Sequence, residues 1–151
     1  MARQKITPCL WFDGQAEEAA NFYVSVFPDS AITSTIPGPG GRALVVEFRL
    51  AGVRFLGLNG GPEFKFNEAI SLSIDCQFQA EVDELWEKLS AGGSPSQCGW
   101  LKDRWGVSWQ VVPAVLPDLL SDPATAGRVM PALMTMTKLD IAALQKAAAG
   151  K

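Results

Sequence analysis

The sequence predicts an α+β fold made of two copies of a βαβββ module followed by a helical tail. Two observations carry this prediction. The order strand, helix and three strands restarts near the middle of the chain, and apolar residues alternate with polar ones in several strands. At 151 residues the chain has the length of one ordinary domain. We therefore predict a single domain over 1–151, with modules at 4–62 and 68–113 and a helical tail at 114–151.

The first module starts with an apolar run at 6–12, which predicts a strand ending in the turn Asp13-Gly14. Apolar residues then recur at helical spacing over 16–27, with acidic and polar residues between them, and Pro28 ends this helix. Three strands complete the module, at 31–36, 44–50 and 53–58.

The second module repeats this order. A strand is predicted at 70–75, and an amphipathic helix follows, with Val82, Leu85, Trp86 and Leu89 on one face. Gly92-Gly93 ends the helix. Two further strand signals follow, a weak one at 96–102 and a clear one at 107–112.

The tail beyond Pro113 is predicted to be helical, with helices at 124–136 and 141–149. Asp140 is a suitable N-cap for the second of them, because its carboxylate can accept from backbone N–H groups of the first turn. Pro131 falls inside the first, where its ring and its missing N–H are expected to disturb the straightness of the helix.

Charge and composition argue against several classes of protein. The net charge is -3 and the basic residues are scattered, unlike a nucleic-acid-binding surface. No stretch is long and apolar enough for a membrane span, and the opening residues contain no apolar signal-peptide core. We therefore expect a cytoplasmic protein with no nucleic-acid and no membrane partner.

The three cysteines form neither a C-x-x-C pair nor an even disulfide set, which is typical of a reducing compartment. We interpret them as buried thiols. Cys98 is given no catalytic role, because the chain contains no histidine that would activate a thiol.

One run of the sequence resembles a known family. The residues CGWLKDRWGVSWQVVP at 98–113 resemble the signature of PhnB-like proteins in the glyoxalase and bleomycin-resistance superfamily, also called the vicinal oxygen chelate superfamily. The segments LWFDG at 10–14 and KLDIAAL at 138–144 resemble the opening and closing segments of the same family. The resemblance covers nearly the whole chain. It implies paired βαβββ modules that each curl a sheet around a cleft, usually in a homodimer.

Some PhnB-like relatives carry the label 3-demethylubiquinone-9 3-methyltransferase, which the residues can test. A nucleotide-type methyl donor needs a glycine-rich turn between a strand and a helix. The glycine-rich stretches at 38–41 and 57–61 lead instead into a strand and into a proline-containing loop. We therefore do not expect a methyltransferase.

In metal-dependent relatives, the resemblance implies four ligands, mostly His and Glu, on the first and last strands of each module. The corresponding positions here are Pro8, Leu56, Ala69 and Gln110. Gln110 alone carries a donor atom, and one amide oxygen does not hold a transition metal. Because the chain has no histidine, an alignment error of one or two residues does not restore the site. We expect no metal and no cofactor; an all-carboxylate site is the alternative.

Strand alternation divides the side chains between two faces of each sheet. If the apolar residues face the helices, a polar set with both charges faces the cleft and forms the candidate ligand-binding set. The apolar residues are Leu44, Val46, Phe48, Leu50, Ile70, Leu72 and Ile74, and the polar set is Glu47, Arg49, Arg54, Ser71, Ser73, Ser108 and Gln110. The alternative is a solvated sheet face with a Glu47–Arg54 cross-strand pair.

Three of the tryptophans lie close together in the second module. Trp109 shares its strand face with Val107 and Val111 and is expected in the core. Trp100 and Trp105 lie at strand ends or turns, so we take them as candidate ligand contacts, with ordinary packing as the alternative.

These residues leave three functions open. The first is a metal-independent binding protein that holds a small planar or partly apolar molecule in the cleft of each module. The second is an enzyme without metal, with Glu47 or another cleft carboxylate as general base beside Arg49 or Arg54. The third is a structural protein whose function is its dimer surface.

Overall fold

The computed structural model describes residues 3–151, which form two compact units that divide after Phe66. The elements in chain order are β1 Cys9–Phe12, α1 Ala16–Val26, β2 Ala31–Pro37, β3 Ala43–Leu50, β4 Val53–Asn59, β5 Ser71–Cys76, α2 Gln79–Ser90, β6 Ser94–Pro95, β7 Trp100–Lys102, β8 Ser108–Pro113, α3 Leu116–Ser121, α4 Pro123–Met134 and α5 Ile141–Ala148. Each unit contains one four-stranded sheet, ordered β1-β4-β3-β2 in the first and β5-β8-β7-β6 in the second. The predicted α+β fold of two βαβββ modules with a helical tail is confirmed. The assignment of both modules to a single domain stays a prediction.

In the first unit, α1 packs against β3 and β4. The two strands meet it with large apolar side chains: Phe48 is fully buried, and its ring stacks on Phe55 with centroids 5.6 Å apart. Tyr23 of α1, also fully buried, lies 6.1 Å from the Phe48 ring. The helix therefore covers one face of the sheet and leaves the other, which we call the first open face, to alternate residues.

The core assignment in β3 is confirmed for Val46, Phe48 and Leu50, which are at most 5% exposed. It is wrong for Leu44, which is 41% exposed. The register between β2 and β3 shifts near this point, so that Ala43 instead occupies the buried position. An irregularity in pairing reverses the faces that strict alternation predicts.

The second unit has the same plan. Val82, Leu85 and Leu89 of α2 are buried against the sheet, as predicted. The opposite face, which we call the second open face, carries Ser71, Ser73, Trp100, Lys102, Ser108 and Gln110, because residues paired in register share a face.

Ile70, predicted to face the helices, is 76% exposed. It lies one residue before β5 begins at Ser71, and so it is outside the paired strand. Leu72 and Ile74, inside the strand, are half-buried.

The tail contains one helix more than predicted, because α3 precedes the two expected ones. Asp140 caps α5 as predicted, with its Oδ1 accepting from Ala143 N at 3.0 Å. The helix α4 is continuous through Pro131. The N–H groups of Cys98 and Gly99 donate to the carbonyl oxygens of Met136 and Thr137. These hydrogen bonds join the tail to the segment that leads into β7.

The tail also bounds the second open face. Its buried residues form an apolar cluster, against which Cys98 and Val112 pack. Val112 is the alternate residue that follows Gln110 on β8, so the tail covers that end of the face. Within residues 3–151, no helix is long and apolar enough to cross a membrane.

The prediction of buried thiols is confirmed for Cys76 and wrong for Cys9, which is exposed. Cys9 is on the open face of an edge strand, opposite Leu56. Cys98 is half-buried. Burial raises the pKa of Cys76 to about 12, so that this thiol stays protonated at neutral pH.

Candidate functional site

Glu47 and Arg54 form the charged centre of the first open face. Arg54 Nη2 donates to Glu47 Oε2 at 3.0 Å, and Arg54 Nε lies 2.9 Å from Oε1. Two hydroxyls complete the arrangement: Thr7 accepts from Arg54 Nη1 at 2.7 Å, and Thr33 donates to Glu47 Oε1 at 3.3 Å. Both charged side chains are about three-quarters covered, with 24% and 21% exposed.

This environment sets the ionisation of the pair. The hydrogen bond from Arg54 holds the pKa of Glu47 below its usual value, and the same contact raises the pKa of Arg54. A carboxylate with a lowered pKa is a weak proton acceptor at neutral pH. Glu47 is therefore better suited to orienting a ligand than to removing a proton from one.

Arg49 does not join the pair. It lies on β3 directly opposite Arg54, but its guanidinium reaches Asp29, 3.9 Å away, and is about half exposed. The like charges of Arg49 and Arg54 explain this, because two guanidinium groups in register on adjacent strands repel each other.

We expect the Glu47→Gln variant to lose about 1 kcal/mol of unfolding free energy at pH 7. Because the folded state lowers the pKa of Glu47, the stabilisation is fully present above the unfolded value of about 4.3 and is lost as the pH falls through the folded value. Urea denaturation between pH 3 and 7 measures the difference between the two proteins, which should shrink at the acid end.

Glu84→Gln is the matched control, since Glu84 forms an exposed ion pair with Lys88 on one face of α2. It should change the stability by less than about 0.5 kcal/mol. Equal effects of the two substitutions would contradict the role given to Glu47.

The four metal-ligand positions do not present a metal-binding set. On the first open face, Leu56 is paired in register with Cys9 rather than with Pro8. On the second, Gln110 Nε2 donates to Ser71 Oγ at 2.9 Å, whereas Ala69 lies in the turn before β5. No group of three or more His, Cys, Asp or Glu side chains suited to a metal occurs in the part of the chain that the structure describes. A hydrocarbon, a thiol, an amide and a hydroxyl do not match the His and Glu donors of a chelate site.

A small cavity of about 230 Å³ lies on the second open face. Trp100, Lys102 and Ser108 line it from the sheet, together with Glu68 from the segment before β5. The remaining lining residues are Ser94, Pro95, Ser96 and Leu101. Trp100 and Ser108 were predicted as site residues, and the structure brings them to one cavity.

Lys102 and Glu68 form an ion pair at this cavity, with the ammonium and carboxylate in direct contact. The contact lowers the pKa of Glu68. Ser108 pairs in register with Lys102, and the residue is only 2% exposed. Its hydroxyl has no hydrogen-bond partner among the described residues. Such a buried group costs about 1–3 kcal/mol relative to a satisfied one.

Ser73 and Trp105 lie apart from this cavity. Ser73 is exposed and pairs in register with Gln110. Trp105 lies in the turn between β7 and β8, where its backbone N–H donates to Asp103 Oδ1 at 2.9 Å. The guanidinium of Arg104 lies 5.2 Å from the centroid of its ring.

Sequence reasoning missed Glu68, Lys102 and Asp103. The alternation of Trp100 with Lys102 in β7 was a usable signal for Lys102, whereas Glu68 comes from an irregular segment with no pattern. A second cavity, of about 240 Å³ in the first unit, is lined by Asp13, Arg42 and Asn59 among others. The Asn59 side chain is already engaged, because it accepts from Ala16 N and donates to the Ala43 carbonyl.

The fold is shared with known structures. A fosfomycin resistance protein from Listeria monocytogenes, solved with Mn(II) and sulfate, is 16% identical with a TM-score of 0.61, covering 80% of this chain and 100% of that one. A Pseudomonas aeruginosa protein is 21% identical with a TM-score of 0.57, covering 71% and 95%. The architecture is that of the glyoxalase and bleomycin-resistance fold.

A PhnB protein from Bacillus cereus is more similar in sequence: it is 35% identical, with a TM-score of 0.70, and the match covers 74% of this chain and all of that one. The family described as 3-demethylubiquinone-9 3-methyltransferase matches residues 4–112. The chain therefore belongs to this PhnB-like family. No curated protein matches it.

Proposed function

We propose that this protein is a metal-independent binding protein that holds a small planar or partly apolar molecule on the open face of each module. The observation that carries the proposal is the cavity of about 230 Å³ at Trp100 on the second open face. An indole beside hydroxyls and an ammonium suits a ligand with a flat apolar body and one polar end. The first open face supports it with the Glu47–Arg54 pair beside half-buried Leu56 and Leu58.

The donor set at the chelate positions supports the proposed metal independence, and we expect chelation to leave the protein unchanged. After purification without chelator, elemental analysis should find well under half an equivalent of transition metal. The thermal midpoint should stay the same within about 1 °C after EDTA treatment, since a ligand that binds only the folded state would have raised it. A stoichiometric metal that chelation removes with a drop in thermal midpoint contradicts this part of the proposal.

The binding function is tested with a screen of planar neutral, cationic and anionic compounds, read by thermal shift and tryptophan fluorescence. At least one class should raise the thermal midpoint of the wild type. Trp100→Leu should weaken that effect, whereas Trp86→Leu on α2 should not, because Trp86 lies outside the open face. A screen without a single binder, or an equal effect of both variants, contradicts the proposal.

A methyltransferase is not proposed, although the family description names one. The glycine-rich stretches lead into a 3-10 turn at Pro39–Gly41 followed by β3, and into the turn after β4; neither opens an α-helix. At the start of α1, the N–H of Ala16 is already taken by Asn59. A cradle of free N–H groups for a nucleotide-type donor is therefore not formed at these places.

We also propose that the protein is a homodimer and that it is cytoplasmic. A homodimer is what the family resemblance implies, and light scattering after size exclusion tests it. A cytoplasmic location agrees with three free cysteines. Glu47 as a general base is the weaker alternative, because Arg54 lowers the pKa of its carboxyl group.

A further inference from the structure

One positively charged side chain lines the cavity on the second open face, and a carboxylate of the same chain is already paired with it. Lys102 is the cation, and the Glu68 carboxylate contacts its ammonium. The Lys102 side chain is 40% exposed and the Glu68 side chain is 61% exposed. An exposed ion pair of this kind contributes little stability, so that another carboxylate can replace its acidic member at small cost.

Ser108 supplies the second observation. The residue lines the cavity and is 2% exposed, yet its hydroxyl has no partner among residues 3–151. It stands directly across from Lys102 on the neighbouring strand, where paired side chains lie roughly 5 Å apart. An acceptor with two oxygens, placed between them, satisfies the ammonium and the hydroxyl together.

The volume of the cavity and the charges beside it limit the class of ligand further. Drug-sized ligands occupy pockets of roughly 300–1,000 Å³, and this cavity of about 230 Å³ is smaller, which suits a body of about one ring. Trp100 provides an aromatic surface for such a ring. Releasing Glu68 exposes a single positive charge while its own negative charge remains near, so a monoanion fits better than a dianion such as phosphate.

We propose that the second module binds a small aromatic monocarboxylate, whose carboxylate takes the place of Glu68 at Lys102 and accepts from Ser108. Glu68 thus acts as an internal competitor for the ligand's site. The inference rests on the proposed binding function and deepens it by naming the chemical class of the ligand and the residue that competes with it.

Benzoate at pH 8 is the probe, with benzamide as its neutral analogue, acetate as its analogue without a ring and inorganic phosphate, which is mostly doubly charged at this pH, as the dianion. Calorimetric titration of the full chain should give the tightest binding for benzoate. Glu68→Gln should tighten benzoate binding about fivefold, because it removes the competing charge. Lys102→Met should weaken it at least about tenfold.

The matched controls are Glu87→Gln on α2 and Lys146→Met on α5, both at exposed positions outside the cavity. Glu87→Gln changes the net charge as Glu68→Gln does, and Lys146→Met changes it as Lys102→Met does. Neither should change benzoate affinity more than about twofold, because salt screens the electrostatic effect of a distant surface charge on the cavity. Benzamide or phosphate binding as tightly as benzoate, or Glu68→Gln leaving the affinity unchanged, overturns the inference.

Ser108→Ala separates a ligand contact from a structural role. It should weaken benzoate binding severalfold and leave the thermal midpoint unchanged or higher, because the hydroxyl it removes has no partner in the fold. A lowered midpoint with unchanged affinity contradicts the assignment of Ser108. If the broad screen finds binders but none responds to these three variants, the binding function stands and the inference fails.

Discussion

The Asp103→Ala variant should lose about 4 kcal/mol of unfolding free energy. Asp103 is 3% exposed, and its carboxylate accepts from three donors around the β7–β8 turn. Oδ1 accepts from the N–H groups of Trp105 and Val107 at 2.9 and 3.0 Å, and Oδ2 accepts from the indole of Trp109 at 2.9 Å. Alanine would leave all three donors without this acceptor, two of them deeply buried. Urea denaturation followed by far-UV circular dichroism measures the loss.

Asp103→Asn tests the same arrangement more finely. Its amide oxygen can still accept from the two backbone N–H groups, but its NH₂ group would face the Trp109 indole N–H, so that two donors meet. We expect a loss of about 2 kcal/mol, between that of alanine and that of the wild type.

Asp118→Asn on the exposed surface of α3 is the control and should stay within about 0.5 kcal/mol. If Asp103→Ala unfolds at the same urea concentration as this control, the carboxylate does not hold the turn.

Gly93→Ala should cost at least about 3 kcal/mol, because a Cβ there overlaps the carbonyl oxygen of Lys102 and lies 2.7 Å from the carbonyl carbon of Asp103. The obstacle is backbone on both counts, so no rotamer change relieves it. Gly93 directly precedes β6, and the substitution would push β6 away from β7. Denaturation midpoints measure the effect, and the proposed ligand binding at the cavity that both strands line should be lost as well.

Gly127→Ala is a matched substitution with the opposite expected sign. Gly127 lies in α4, and a Cβ there meets nothing within 4 Å. Alanine should therefore stabilise the protein by about 0.5–1 kcal/mol through helix propensity. A stabilising Gly93→Ala, or a strongly destabilising Gly127→Ala, would contradict the packing described at these two positions.

The sequence patterns predicted the fold well where one face of an element is buried. In β3, alternation placed Val46, Phe48 and Leu50 correctly, because each of them packs on the side of α1. It failed at Leu44, where a shift in strand register depends on the partner strand and leaves no trace in the residues themselves. The helix α3 was missed because its six residues are too few to show a helical period.

The candidate site was predictable only within single strands. Alternation identified Glu47, Arg54, Ser108 and Gln110 as residues of the open faces, and the diagonal contact of Glu47 with Arg54 follows from two strands joined by a tight turn. The contact between Glu68 and Lys102 joins an irregular segment to a strand distant in sequence, and no periodicity reports such a pair. Asp103 belongs to the run at 98–113 that resembles the family signature. Its three hydrogen bonds could not be predicted, because they depend on the geometry of the turn.

Two of the tryptophans give the protein separate optical reporters. Trp109 is 2% exposed and donates a hydrogen bond to the Asp103 carboxylate. Its fluorescence should therefore report whether the β7–β8 turn is folded, and it should resist an aqueous quencher such as acrylamide. Trp100 is half-buried at the rim of a cavity, so its quenching should fall when that cavity is filled. With the other tryptophans replaced, unfolding and occupancy can be followed in one sample by the accessibility of two indoles.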